Sequence, residues 1–212
     1  VSSLGLQIFD LDAPAGPALL GTWRSANSPR GLAVEGGHAY VADGLGLRVV
    51  DVSDPQRPVE VAALGQESLL GGEDVELSGD YAFVAAGYEL TVVDVRRPDD
   101  PVVVSSLPLD GYYPSLAIDG PIIWLLGSEP DLLVVDASDP LQPLLFGGYE
   151  VPGIEWDLDA MDGLVYVAVG PSGLQVIDGS DPERAELVAT VDLEGLATGV
   201  SATKDGVLVA TG

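Results

Sequence analysis

The sequence predicts an all-β protein, a five-bladed β-propeller of four-stranded antiparallel sheets. Three observations carry that expectation. An apolar run ending in aspartate recurs as LQIFD to Asp10, LRVVD to Asp51, LTVVD to Asp94, LLVVD to Asp136 and LQVID to Asp178. The aspartates are separated by 41, 43, 42 and 42 residues, and a period of about forty residues filled with short strands marks propeller-type arrays. Each period also holds four short Val/Leu/Ala-rich stretches punctuated by Gly, Pro, Asp and Ser, which argues for strands and against helices.

The second unit serves as the template. Its strands are expected over 31–35 (GLAVE), 39–43 (AYVAD), 47–52 (LRVVDV) and 59–64 (VEVAAL), divided by Gly36-Gly37, Gly44-Leu45-Gly46 and Ser53-Asp54-Pro55. The near-continuous apolar runs, without strict polar alternation, suit strands buried on both faces. One position of the second strand is held by Tyr40, Phe83, Trp124 and Tyr166, and Val209 is assigned to it in the last unit. Two places on stand Ala42, Ala85 and Ala168, with Leu126 and Thr211 departing. Large against small at fixed positions is what interdigitating sheets need, so Trp124 is expected in the core.

The order of strands sets the expected closure. The chain opens with third and fourth strands at 5–11 and 18–24, runs through four complete sets, and ends with first and second strands at 199–203 and 207–211. Pairing of the N-terminal and C-terminal half-blades would complete a fifth sheet and leave no open edge. Residues 1–212 are accordingly expected to form a single propeller domain.

Composition bounds the function. A chain of 212 residues with 47% apolar and 20% charged content is a folded domain rather than a disordered one. Thirty-four acidic side chains face eight basic ones, giving a net charge of −26. Such charge repels phosphate backbones and anionic membrane surfaces, so neither nucleic acid nor a membrane is an expected partner. No apolar run is long enough for a helical membrane span. With no cysteine, nothing staples the fold. The first residue, Val1, and the absence of an apolar leader suggest a mature or excised portion of a larger chain.

The segments LRVVDVSDPQRPVEV, LLVVDASDPLQPLLF and LQVIDGSDPERAELV resemble the LVIVD repeat, as does the preceding GLAVEGGHAYVADG. The likeness extends over essentially the whole chain. Local departures are Asp12-Ala13-Pro14 in the first unit and Arg96-Arg97-Pro98-Asp99-Asp100-Pro101 in the third. The resemblance implies a β-propeller of the kind frequent on microbial surfaces or in secreted proteins, and it implies no particular chemistry.

Candidate sites follow from the expected topology. Asp51, Ser53 and Asp54, repeated as Asp136/Ser138/Asp139 and Asp178/Ser180/Asp181, place several oxygens in one turn. Calcium is a candidate there because it takes six to eight oxygens. The competing and preferred reading is a turn in which the carboxylates accept backbone N–H groups, with no cofactor. A ligand-binding face is expected at the channel mouth, around Arg30, Glu73, Asp74, Pro114-Ser115, Trp156, Asp157 and Thr198-Gly199. Tyr112, Tyr113 and Trp156 are its anchors, since flat rings with a polar handle suit sugar or peptide. An Arg30–Glu73 ion pair is the structural alternative for Arg30.

The leading expectation is a non-catalytic, cell-surface or secreted interaction module, a monomeric domain of a larger chain that binds a protein or glycan. The enzyme alternative is a carbohydrate-active propeller using Glu73, Asp74, Glu76, Asp157 and Asp159, since glycosidases need two converging carboxylates. A purely architectural repeat unit is the third. His38 is the sole histidine and belongs to a hairpin turn, which excludes a histidine-based triad or metal centre.

Overall fold

The computed structural model describes residues 5–12, 14, 16–65, 69 and 71–212. Among the described residues, twenty strands and one short 3-10 turn, Pro182–Arg184, make up the regular structure. The chain divides into two compact units, Val1–Ser106 and Leu107–Gly212. Ala13 of the first-unit turn lies outside the described residues.

The first unit contains β1 (Leu6–Asp10) paired with β2 (Ala18–Trp23). It also contains the sheet β3 (Pro29–Glu35), β4 (His38–Asp43), β5 (Gly46–Asp51), β6 (Val59–Leu64). The next sheet consists of β7 (Asp74–Ser78), β8 (Tyr81–Ala85), β9 (Gly87–Asp94) and β10 (Val102–Tyr113), the last crossing the boundary between units. The second unit holds β11 (Ser115–Asp119), β12 (Ile122–Leu126), β13 (Leu132–Asp136) and β14 (Leu144–Tyr149) as one sheet. Its second sheet is β15 (Asp157–Met161), β16 (Leu164–Ala168), β17 (Leu174–Asp178) and β18 (Glu186–Val191), and β19 (Ala197–Thr203) pairs with β20 (Gly206–Thr211). The all-β repeat architecture expected from the sequence is therefore present. Among the described residues the strand pairings comprise four four-stranded sheets and two two-stranded ones, β1 with β2 and β19 with β20.

Each sheet follows chain order because tight hairpins join its strands. First strands of consecutive sheets lie side by side, β3 with β7 in the first unit, and β11 with β15 and β15 with β19 in the second. Third-to-fourth pairings carry a recurrent β-bulge, between Ile8/Phe9, Val49/Val50, Val134/Val135 and Val176/Ile177. A bulge at the same point of these four repeats bends and twists the outer strand, and the apolar pattern alone gave no sign of it.

The cores are the faces between adjacent sheets. Tyr40, Ala42, Leu47 and Val49 pack with Val75, Ala82, Val84 and Val95 in the first unit. Trp124, Leu126, Leu132 and Val134 pack with Leu158, Ala160, Val165 and Ile177 in the second. Trp124, 2% exposed, is a core residue as expected. Its bulk is matched by Gly179, where an added Cβ would lie 2.4 Å from Cζ2 of the indole. The smaller Tyr40 shares its cluster with Val95, the residue that follows a repeated aspartate just as Gly179 does. Volume is thus traded between facing sheets at constant packing.

One register assignment needs correction. Ala33 faces Tyr40, Glu76 faces Phe83, Ala117 faces Trp124 and Asp159 faces Tyr166, and the equivalent pair in the last hairpin is Ser201 with Leu208. Leu208, not Val209, therefore occupies the aromatic position, and Ala210, not Thr211, the small one. The last hairpin turns through Lys204-Asp205 onto Gly206, which begins the strand. Counting from the apolar residues alone misses that glycine.

Candidate functional site

The repeated aspartates are local turn-makers. In all five repeats the carboxylate Oδ1 accepts the backbone N–H two residues on: Asp12 to Asp10 at 2.9 Å, Ser53 to Asp51 at 2.8 Å, Arg96 to Asp94 at 3.0 Å, Ser138 to Asp136 at 2.8 Å and Ser180 to Asp178 at 3.0 Å. The hydroxyls of Ser138 and Ser180 donate to the same oxygens at 2.5 and 2.6 Å. Bonds from Ser53, Ser138 and Ser180 hold Asp51, Asp136 and Asp178 below the usual carboxylate range. The second aspartates, Asp54 and Asp139, accept from Gln56 and Leu141, each at 3.0 Å. These are Asx turns, in which a side chain stands in for a backbone acceptor. Among the described residues no group of three or more His, Cys, Asp or Glu is arranged to hold a metal.

In the first unit the proposed face residues Arg30 and Glu73 form an ion pair. Arg30 projects from β3 beside Gly31, whose added Cβ would lie 2.6 Å from Cα of Asp74. That close approach of β3 to β7 is what carries the guanidinium to the carboxylate. Asp74 opens β7, half-buried, and its Oδ1 accepts the N–H of Val75 at 2.9 Å.

A charged node that the sequence reading passed over lies nearby. Asp43, fully buried at the end of β4, receives Arg48 Nε at 3.0 Å, Leu45 N at 2.9 Å, and Ser25 Oγ and Asn27 Nδ2, each at 3.3 Å. Burial pushes its pKa up, but the bonds from Leu45, Arg48 and Asn27 outweigh burial and the carboxyl titrates low. The signal was in the sequence, an aspartate closing an otherwise apolar strand with an arginine five residues on.

In the second unit the anchors part company. Tyr112 is 38% exposed, and its backbone N–H donates to Ser128 Oγ at 3.0 Å. Tyr113 is 1% exposed and donates its hydroxyl to the Pro130 carbonyl at 2.9 Å. Tyr113 is thus corrected from contact residue to core residue. Successive side chains on β10 point to opposite faces, so only one of the pair can reach solvent. Burial, then the charges of Asp131, Glu150 and Asp110, push the Tyr113 phenol up. Trp156 is 56% exposed, and its ring lies over Gly170, whose added Cβ would be 3.0 Å from the indole Nε1. Ile154, 65% exposed, stands two residues away and extends this apolar ledge. It was not foreseen, because one isoleucine in a Pro-Gly loop reads as filler.

Asp157 and Asp159 point to the neighbouring first strand. Asp157 Oδ2 accepts the N–H of Val200 at 2.9 Å, and Asp159 Oδ2 that of Ala202 at 2.8 Å. Asp159 Oδ1 also accepts from Ala160 at 2.7 Å. Thr198-Gly199 lie near the start of that strand, and a Cβ added at Gly199 would meet Asp157 Oδ2 at 3.6 Å, an ordinary contact. Burial pushes Asp157 up against the opposing effect of its bonds from Val200 and Leu158. These carboxylates serve as acceptors that join β15 to β19.

Known proteins share this architecture. A solved protein from Lactobacillus plantarum superimposes with a TM-score of 0.81 at 15% identity, covering 98% of this chain and 71% of its own. The structure of U3-55K and that of the RRP9 WD40 repeats each give a TM-score of 0.73 at 16% identity, covering 97% of this chain and 67% of theirs. At such identities the likeness is one of fold, and this chain spans about two thirds of each neighbour's length. No curated protein sequence matches. The LVIVD repeat matches at residues 28–64, 72–107, 127–151 and 152–192, more than half of the sequence. With the strand repeats and aspartate turns described above, that places the chain in the LVIVD-repeat family.

Proposed function

We propose that this protein is a non-catalytic interaction module that presents the loops leading into its first strands to a protein or glycan. One observation carries the reading: Trp156 and Ile154, 56% and 65% exposed, stand in the loop that leads into β15. Tyr112 near the end of β10 and the Arg30–Glu73 ion pair at the start of β3 supply different chemistry, whereas the turn aspartates recur after every third strand. Repeats of the WD40 kind among the fold neighbours support an interaction role. The strongly acidic surface favours basic or uncharged partners over nucleic acid, and a cell-surface or secreted setting suits it. In this reading the domain is monomeric within a larger chain, binds no metal, and closes as five blades through its two terminal half-blades.

A glycan array and a peptide library, run beside a panel of glycosidase substrates, test the proposal. Binding that is lost in Trp156→Ala, with no turnover of any substrate, is expected. Turnover abolished by Glu76→Gln or Asp159→Asn would replace the module with a carbohydrate-active enzyme.

A further inference from the structure

In the second unit the loop that joins β14 to β15 gathers acceptors and no cation. At its start Asp131 Oδ2 accepts the N–H of Val151 at 2.7 Å. At its end stands Glu155, whose Oε1 is buried without a hydrogen-bond partner. Burial pushes the Glu155 carboxyl up against a bond from its own N–H, and the charges of Asp131 and Glu150 add to the rise. Desolvation, then the charges of Asp131 and Glu129, push Glu150 up in turn. Asp131, Glu150 and Glu155 therefore lie within electrostatic reach of one another. None of the ion pairs among the described residues involves them. The two basic side chains of this unit, Arg184 and Lys204, stand on turns at the far end of the strands.

A buried amide is aimed into the same loop. Gln175 is 3% exposed, and its Nε2 donates to the Pro152 carbonyl at 2.7 Å. That bond orients the amide, since a carbonyl accepts only from its nitrogen, and it leaves Oε1 buried without a partner. Gln175 is the second residue of LQVID, the place that Arg48 fills in LRVVD. In the first unit Arg48 supplies a cation to buried Asp43, whereas here the acceptors stand without one. We propose that this loop binds the ammonium of a lysine side chain on a basic segment of a partner protein, with Glu155 Oε1 and Gln175 Oε1 as acceptors. An ammonium offers three donors with no fixed plane, which suits acceptors that come from a loop and a strand. Trp156 and Ile154, exposed on either side of Glu155 in the chain, supply apolar surface. A lysine lays its methylene stem along such surface, which favours it over a free amine, and the net charge of −26 attracts a basic segment. The inference rests on the interaction module proposed above and adds the chemical class of its partner.

The test screens the full chain at about pH 8, where carboxylates are ionised and lysine is still charged. The probes are a library of lysine-bearing peptides, the same peptides with Nε-acetyl-lysine, and a glycan array. Glu155→Gln and Gln175→Met run beside the parent, with Asp205→Asn as an equal loss of charge on the β19–β20 turn. Matching circular dichroism establishes folding, and the acetylation comparison needs the parent alone. Acetylation and Glu155→Gln should each weaken peptide binding about tenfold, as loss of a charge-assisted bond does. Gln175→Met should weaken it less, and Asp205→Asn should leave it unchanged. Equal weakening in Glu155→Gln and Asp205→Asn would mean diffuse charge attraction and overturn the site. Peptides bound alike with and without acetylation, or glycans bound alone, would overturn the site and leave the module standing. No binding to any peptide or glycan would overturn both.

Discussion

Aspartates in the turns after the third strands and aspartates in the sheet interior look alike in the sequence but are used differently. Asp10, Asp51, Asp94, Asp136 and Asp178 bond within two residues of themselves, at the surface. Asp43 reaches back 18 residues to Ser25, and Asp157 and Asp159 each reach 43 residues ahead to β19. Local bonds of the first kind recur in every repeat because each turn needs one. Long bonds of the second kind occur where a particular neighbour offers an N–H or a guanidinium, so they are not periodic. An acid in a repeat protein is therefore better judged by its periodicity than by its abundance.

Arg48→Ala should break this contrast most severely. It leaves the Asp43 carboxylate buried without its cation, at a cost of about 3 kcal/mol, read from the urea midpoint. Asp159→Ala comes next. It strips the N–H groups of Ala160 and Ala202 of their acceptor, for a loss of about 2 kcal/mol, with faster hydrogen exchange at both amides. A turn variant, Asp136→Ala, should cost about 1 kcal/mol. Combined with Asp178→Ala it should be nearly additive, as expected of separate sites. Calcium should leave the melting temperature of the parent unchanged, whereas a rise that scales with calcium excess would mean that the turns bind the metal.

The smallest effect is in pH, and Asp157 has the opposite sign to the turn aspartates. The turn aspartates Asp51, Asp136 and Asp178 titrate low in the fold. Their stabilisation is present above the unfolded value of about 3.9 and is lost as pH falls through their lower folded values. Burial holds Asp157 high, so the native state takes up its proton before the unfolded chain does. Stability from that group is complete below the unfolded value and declines as pH rises through the folded one. Relative to Asp157→Asn, the parent should therefore gain stability as pH falls from neutral towards the unfolded carboxylate value of about 3.9. A gap between the two that does not vary with pH would show that the carboxylate carries no burial penalty.

Much of the fold was legible because it is periodic. Strand positions, hairpin turns and the core role of Trp124 all followed from the recurrence of one apolar register. The Arg30–Glu73 pair was legible as an alternative because both residues lead into adjacent first strands. The division of Tyr112 from Tyr113 was not legible, since the two rings are chemically alike and only the orientation of β10 assigns one to solvent. Ile154 gained its place from the exposure of its loop, and Asp43 from a contact with Asn27, sixteen residues away in sequence.

The sequence by itself determined the repeat, the strand order within each sheet and the aspartate turns, because these depend on neighbours within a few residues or on a pattern copied along the chain. Only the tertiary structure decided which carboxylates bridge strands, which aromatic rings meet water and which glycine yields to Trp124. Those outcomes depend on the facing sheet, where a single volume or a single N–H belongs to one partner and is not repeated in the next.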